Sequence, residues 1–380
     1  MTDRDQDHDH VEPDEHGGEA SGSFGRGARD RFDKDELREI VAVFPISGIT
    51  TIREFHRGSR RSPKLRIHAQ EGEFLLKRRA PRPNLKQRVA YNHEMIEALS
   101  NRHYPVARLV RSRDEQVTAV VRGEHVYELF EFVHGRRYDH SSAEVELAGE
   151  VLGRLHVAME EWCPSVDSPG GTFHHANTVA KALNQLPRTL VSVNDSVNAK
   201  DAERLAEELH SIYLHASASV EVAGWKSLPS HSIHGDWHPG NILFGEKSDE
   251  GDSPRVAAVV DYDSSREEPR IVDLANGLVH FAMRSRRGVS PAEWPFSLST
   301  RRMKAFVAGW INAVSDVQRK EIEIIPWLMV EAVIAESVVP VAETGCFATI
   351  PGYPFLQMVL GKAKWIKGRV DELQGMFDMS

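Results

Sequence analysis

Two polar turns, joined by short apolar segments, constrain this chain more than any other feature. The first is His-Gly-Asp-Trp-His-Pro-Gly-Asn at 234–241, which places Asp236 five residues before Asn241. The second follows the apolar run 256–260 and begins with Asp261. Proline and glycine favour tight turns, and the apolar runs beside them predict short strands. We therefore expect two carboxylates and one amide to meet where these strands end.

These three side chains supply the groups that phosphoryl transfer from ATP requires. Asp236 can receive or orient the proton of an attacking hydroxyl, whereas Asn241 and Asp261 can hold Mg²⁺ against the phosphates. Mg²⁺ prefers oxygen ligands and keeps several waters, so two protein ligands are sufficient. An ordinary turn explains one aspartate but not all three residues. The spacing therefore predicts ATP and Mg²⁺ as cofactors, with Asp236 as the catalytic group.

Composition indicates a globular chain with enough apolar surface for two lobes. It has 380 residues, of which 41% are hydrophobic. No apolar run approaches the roughly 18 residues that cross a bilayer, and the polar N-terminus is unlike a signal peptide. The two cysteines are too few for a disulfide framework. These features predict a cytoplasmic protein with no membrane partner.

Most of the net charge of −9 belongs to the N-terminal segment 1–30. This segment has nine acidic and three basic side chains, a net of −6, which leaves −3 for the rest. Its composition predicts a disordered, histidine-rich acidic tail. Metal binding by its histidines is a less favoured alternative. The nearly neutral body favours no particular charged partner.

The remaining periodicity predicts an α+β fold with a strand-rich lobe at 31–134 and a mainly helical lobe at 135–380. Short strand patterns and one inserted helix at 85–101 dominate the first part. The second part shows repeated helical patterns. The predicted strands are Thr50–His56, Leu65–His68, Glu73–Lys77, Ala107–Arg111, Val117–Val121 and Val126–Val133, and the predicted helices of the second part before the polar turns are Ala143–Glu160, Val179–Leu190 and Ala199–Ala218.

Together these motifs resemble the aminoglycoside phosphotransferase and homoserine kinase-like family, which has a two-lobed protein-kinase-like fold. The resemblance is carried by His-Gly-Asp-Trp-His-Pro-Gly-Asn-Ile-Leu at 234–243, Val-Asp-Tyr-Asp at 260–263 and Asp-Leu-Ala at 273–275. Leu-Gly-Arg-Leu-His at 152–156 adds weaker support. The family implies a packing role for His234 beneath the polar turn and a stabilising role there for Asp273.

The resemblance also implies a nucleotide site in the first lobe. Lys77 would bind the α- and β-phosphates, and Glu94 on the following helix would pair with Lys77. Ser59 lies in the expected phosphate loop, 57–62, which has a single glycine where kinases are glycine-rich. Backbone groups of Glu131 and Val133 would contact the adenine.

Asp273 follows Asp261 by only twelve positions. This interval has no room for the activation segment on which a protein kinase docks its substrate, so the resemblance favours a small molecule as the hydroxyl acceptor. Asp263 could touch a second metal or brace the loop. The segment from 57 to 88 has eleven basic and two acidic side chains, but it has few aromatic residues, which argues against nucleic acid.

Three functions remain open at this point: a small-molecule kinase, which we favour, a nucleotide-binding scaffold without catalysis, and a protein kinase. The expected acceptor is an amino alcohol, a homoserine-like compound, an aminoglycoside or a sugar-like molecule, and the sequence neither chooses among these classes nor predicts the oligomeric state. Glu331, Glu336 and Glu343 lie in the apolar stretch 325–350, where a buried carboxylate would suit an amino-bearing acceptor. The alternative is that these glutamates lie on solvated helix faces. Glu331 and Glu336 are about 140° apart around a helix and need not share a face.

Overall fold

A computed structural model describes residues 30–55, 61–194, 196–246, 254–284 and 288–377. Apart from its last residue, the predicted tail 1–30 lies outside these ranges. The predicted phosphate-loop residue Ser59 also lies outside them. The described residues form a strand-rich lobe followed by a mainly helical lobe, and the predicted α+β class is confirmed.

The first lobe is an antiparallel sheet of six strands with one helix before it and one inserted. The strands are β1 (Thr51–Glu54), β2 (Lys64–Ala69), β3 (Gly72–Arg79), β4 (Leu109–Val110), β5 (Ala119–Arg122) and β6 (His125–Glu131), and the helices are α1 (Lys34–Val43) and α2 (Leu85–Asn101). The strand order is β1-β2-β3-β6-β4, and β5 also pairs with β6.

The β2–β3 hairpin has one apolar face and one basic face. Leu65 and Leu76 are cross-strand partners and are buried against the helix α1. Side chains alternate between the two faces of a strand. The neighbouring pair, Lys64 and Lys77, therefore faces the opposite side, where both residues line a cleft between the lobes.

Helix α1 covers the apolar face of the sheet. Asp33 caps it by accepting from the amides of Asp35 and Glu36, and the Glu36 side chain accepts from the Asp33 amide. This reciprocal capping box fixes where the helix begins. Its Ile40 is almost fully buried in the small core of this lobe, so α1 holds the sheet from outside and leaves the basic face open.

The described part of the second lobe is a helical bundle with three two-stranded ribbons. The helices are α3 (Ser142–Met159), α4 (Asn177–Val193), α5 (Ala199–Val222), α6 (Ile271–Phe281), α7 (Thr300–Ala313), α8 (Arg319–Thr344), α9 (Gly352–Lys367) and α10 (Val370–Gln374), and the strands are β7 (His231–Ile233), β8 (Ile242–Phe244), β9 (Val256–Val259), β10 (Arg266–Glu268), β11 (Cys346–Phe347) and β12 (Ile350–Pro351). One ribbon pairs β8 with β9, a second pairs β7 with β10, and a third pairs β11 with β12.

Two contacts set the positions of the bundle's helices. Helices α3 and α7 cross closely at Gly149 and Gly309, where added Cβ atoms would lie about 2 Å from backbone carbonyl oxygens of the other helix. Contrary to the expectation from sequence, helix α8 contains a segment that is long and apolar enough to cross a bilayer, but 78% of this segment is buried inside the protein. It is therefore the central core helix, and it places its side chains against α4, α5, α6 and α9.

Candidate active site

The first polar turn is held from below by Asp273 on α6. One Asp273 oxygen accepts from the His234 amide at 2.7 Å, and the other accepts from the Gly235 amide at 2.8 Å. Burial alone would raise the pKa of Asp273, but His156, His234 and the backbone donor lower it. The buried carboxylate is thus ionised and fixes the turn.

His234 connects this turn to the second one. Its Nδ1 accepts from the Asp236 amide, which leaves Nε2 to donate to the Val260 carbonyl at 3.1 Å. The ring is fully buried and lies against Trp237 and Tyr262. The geometry gives His234 a positioning role, because its ring nitrogens are engaged and no solvent reaches it.

Asp236 projects from the turn into the cleft. Asn241 donates from Nδ2 to both the Asp236 carbonyl and its Oδ2, at 2.9 and 3.0 Å, and His238 Nε2 lies 3.5 Å from the same Oδ2. Burial would raise the pKa of Asp236, but His238, His234 and Asn241 lower it below its ordinary value. Asp236 is therefore an oriented carboxylate that can accept a proton from a hydroxyl.

Asn241 and Asp261 are brought together by the β8–β9 ribbon. The Val260 amide donates to the Asn241 carbonyl at 2.9 Å, which places Asp261 directly beside the turn. Asp261 adopts a left-handed conformation with φ of 66°, a strained arrangement that often marks functional sites. The Asn241 amide nitrogen donates to Asp236, so the amide oxygen is the atom that could bind a metal. One carboxylate and one amide oxygen fit Mg²⁺ when phosphates supply further ligands.

A cluster of cations on the sheet surrounds the two aspartates of the second turn. Lys77 Nζ lies 3.2 Å from Asp261 Oδ1 and 2.6 Å from Asp263 Oδ1. Lys64 Nζ lies 3.5 Å from Asp261 Oδ2, and Arg79 lies 2.5 Å from Asp263. Lys77, and then Lys64, hold the pKa of Asp261 well below its usual range. The cluster is suited to binding polyanionic phosphates. The Asp263 carboxylate belongs to this cluster, because it forms ion pairs with both Lys77 and Arg79.

The predicted pair of Lys77 with Glu94 is wrong. Glu94 accepts from the amide and hydroxyl of Ser165, at 2.7 and 2.9 Å, on the outer side of α2. The buried acid of this lobe is Glu128 on β6, which binds Arg79 through two hydrogen bonds and lies 2.5 Å from His93 Nε2. Helix α2 is thus tied to the sheet by His93 and Glu128, one residue away from the predicted contact.

Lys64, Arg79 and Glu128 were missed by the sequence analysis. A signal existed for the first two, because alternation places Lys77 and Arg79 on one face and the hairpin register places Lys64 opposite Lys77. The predicted adenine contacts, Glu131 and Val133, do line the cleft. The Glu131 amide already donates to the Arg108 carbonyl, so Glu131 can offer a base only its carbonyl.

The cleft continues past the polar turns as one cavity of about 1180 Å³. Apolar side chains such as Ile96, Phe130 and Val259 line the end near β6. The other end lies between α8 and α9, beyond Asp236. A cavity this large has room for a nucleotide and a second small molecule.

Of the three candidate glutamates, the structure brings only Glu336 into the cavity. Its Oε2 lies 2.6 Å from Nε2 of His280, which packs against His238. Burial lowers the pKa of His280, but Glu336 outweighs that effect and raises it. Glu331 is instead fully buried, where it binds His174 and Ser217, and Glu343 is exposed.

Comparison with known proteins agrees with this architecture. The model of the phosphotransferase enzyme family matches residues 51–305. A homoserine kinase of Caulobacter sp. (strain K31) is 25% identical over 245 residues, which cover 63% of this chain and 68% of that protein.

Two solved structures share the fold at low sequence identity. A microcompartment-associated aminopropanol kinase superposes with a TM-score of 0.66 at 12% identity, over 90% of this chain and 99% of that one. A spectinomycin phosphotransferase in complex with ADP and spectinomycin gives a TM-score of 0.55 at 14% identity, over 91% and 98% of the two chains. The family match covers most of the chain, and the structures match its whole two-lobed architecture. The chain therefore belongs to the phosphotransferase enzyme family and is a small-molecule kinase.

Proposed function

We propose that this protein transfers the γ-phosphate of ATP to a hydroxyl group of a small amino-bearing molecule. The observation that carries the proposal is the convergence of Asp236, Asn241 and Asp261 with the Lys64–Lys77 pair on one cavity. A scaffold that only bound a nucleotide would have no need of an oriented carboxylate beyond the phosphate-binding cations.

In the proposed reaction the acceptor oxygen attacks the γ-phosphorus while the bond to the ADP oxygen breaks. Asp236 takes the hydroxyl proton, and ADP leaves with the bonding electron pair. Lys77 and Lys64 bind the phosphates, and the carbonyl of Glu131 and the backbone of Val133 contact the adenine. Asn241 and Asp261 would hold Mg²⁺, which when bound neutralises charge on the phosphates.

The position of Glu336 favours an acceptor that carries an amino group. It is the carboxylate that α8 contributes to the far end of the cavity, and about a third of its side chain is exposed. Its second oxygen can accept from an ammonium group while His280 holds the first. A cation there would interact with Glu336 more strongly than in bulk water, because about two thirds of this side chain is shielded from solvent.

The test is acceptor-dependent release of ADP from Mg·ATP across amino alcohols, hydroxy amino acids and aminoglycosides. Wild type should turn over one class, and Asp236→Ala should lower kcat by two or more orders of magnitude while the Kd for ATP changes little. Glu94→Ala is the matched control, since Glu94 contacts Ser165 rather than the cavity. Wild type that binds ATP but phosphorylates no acceptor would indicate a non-catalytic nucleotide-binding protein.

A further inference from the structure

The acceptor end of the cavity contains a buried lysine that the proposed phosphoryl transfer does not use. Helix α9 lines this end with residues at helical spacing: Phe355, Met358, Val359 and Lys362. Three of the four are apolar, so the lysine is the charged member of this face. Across the cavity, α8 contributes Glu336 as its charged side chain among the lining residues.

Lys362 is fully buried, and its Nζ donates to the Pro295 carbonyl at 2.5 Å. Within the part of the chain that the structure describes, no carboxylate pairs with it. Burial, and then the nearby Arg284, lower its pKa to about 8. At pH 7 roughly nine tenths of such side chains still carry a proton. A buried ammonium group without a counter-ion is costly.

The contact with Pro295 does not explain this charge. A neutral amide side chain would donate to the same carbonyl without the cost of burying an unpaired cation. Lys362 has three donors and this contact uses one of them. The remaining donors have no partner among the residues that the structure describes, and the lysine belongs to the cavity wall, where an entering ligand would supply one.

Glu336 and Lys362 do not neutralise each other. Glu336 is bonded to His280, whereas Lys362 is bonded to the loop carbonyl of Pro295. The cavity beyond Asp236 therefore has a negative point on α8 and a separate positive point on α9. A ligand that matches both must carry a cationic and an anionic group.

We propose that Lys362 binds an anionic group of the acceptor, so that the substrate is a zwitterion with a hydroxyl, an ammonium group at Glu336 and a carboxylate or phosphate at Lys362. This inference rests on the proposed kinase function and narrows its substrate class. A carboxylate and a phosphate would both accept hydrogen bonds from the Lys362 ammonium group, and the experiment below distinguishes between them.

The experiment compares acceptors that differ only in the anionic group. Ethanolamine is matched with serine, and 3-aminopropan-1-ol with homoserine, while 2-amino-3-hydroxypropyl phosphate carries a phosphate together with an ammonium group and a hydroxyl. We expect wild type to have a kcat/KM about 10- to 100-fold higher for the anion-bearing member of a pair than for the matched amino alcohol. Preference for 2-amino-3-hydroxypropyl phosphate over serine would assign the anionic group as a phosphate.

Lys362→Met, which keeps the apolar stem, should raise the KM for the preferred acceptor by a similar factor, with a much smaller effect on the matched amino alcohol. Lys362→Arg should retain the preference. If Lys362→Met has a much lower Tm than wild type, Lys362→Gln replaces it, because the glutamine amide keeps a hydrogen-bond donor for the Pro295 carbonyl. Equal losses on both members of a pair, or wild type that prefers the amino alcohol, would overturn the inference.

Failure of the kinase proposal can be recognised separately. If wild type phosphorylates nothing, calorimetric titration with serine and homoserine still measures the Lys362 contact without turnover. Binding of one of them by wild type that is weakened about 10-fold or more in Lys362→Gln would support the zwitterion site alone. The zwitterion site would be rejected if wild type and Lys362→Gln bound serine and homoserine equally well, or if neither protein bound either ligand.

Discussion

Glu128 offers the sharpest test of how the first lobe is held together. It is fully buried, accepts from Arg79 at 2.5 and 2.9 Å, and lies 2.5 Å from a His93 ring nitrogen. Burial would raise the pKa of Glu128, but Arg79 and His93 hold it well below its usual range. Removing this carboxylate would leave the buried Arg79 without its bidentate partner.

Breaking a buried ion pair by removing one member costs about 3–5 kcal/mol. Against a typical domain stability of roughly 5–15 kcal/mol, Glu128→Ala should therefore lose between about a fifth and all of the free energy of unfolding. Glu94→Ala removes only two hydrogen bonds to Ser165 at the surface, each worth about 1 kcal/mol. Arg79 also contacts Asp263, so Glu128→Ala should raise the KM for ATP as well.

Urea denaturation gives the stability, with the m-value as a check on two-state behaviour, and initial rates give the KM for ATP. Glu128→Gln is the intermediate variant, because it keeps the shape and removes the charge. The reasoning would be refuted if Glu94→Ala cost as much stability as Glu128→Ala and raised the KM for ATP more. That result would support the original prediction that Lys77 pairs with Glu94.

Three further predictions concern single contacts. Lys64→Met should raise the KM for ATP about 10-fold, as measured by initial rates, because it removes one of the cations beside Asp261. Gly149→Ala should destabilise the fold by at least 1–3 kcal/mol in denaturation, since its Cβ would meet an α7 carbonyl at 2.1 Å; Gly170→Ala, with open space around it, is the control. The raised pKa of His280 means that its pairing with Glu336 stabilises the fold fully below about pH 6.5 and less as pH rises through the folded pKa. The difference in Tm between wild type and Glu336→Gln should therefore shrink from pH 6 to pH 9.

The polar turns could be predicted because their geometry is local. Asp236 and Asn241 are in one turn, and Asp261 follows a strand that pairs with the strand after that turn. Proline, glycine and short apolar runs determine this arrangement without any distant contact. The α+β class follows for the same reason, because strand and helix periods are properties of short windows.

The error at Glu94 has a simple cause. Neighbouring residues on a helix differ in direction by about 100°, so a correct helix with an imprecise rotation brings the wrong side chain to the sheet. The structure turns His93 inward, toward Glu128, and leaves Glu94 on the side of Ser165. The sequence contained both residues but not the rotation, which depends on how α2 packs.

The glutamates of α8 show the same limit and explain why the acceptor could not be read from the chain. Glu331 and Glu336 point to different sides of one buried helix. Glu331 is bound in the core by His174 and Ser217, whereas Glu336 lines the cavity beside His280. Lys362 joins it there only because α9 packs on α8. The proposed catalytic groups are therefore placed largely by local sequence, whereas the proposed acceptor contacts depend on how α8 and α9 pack on each other.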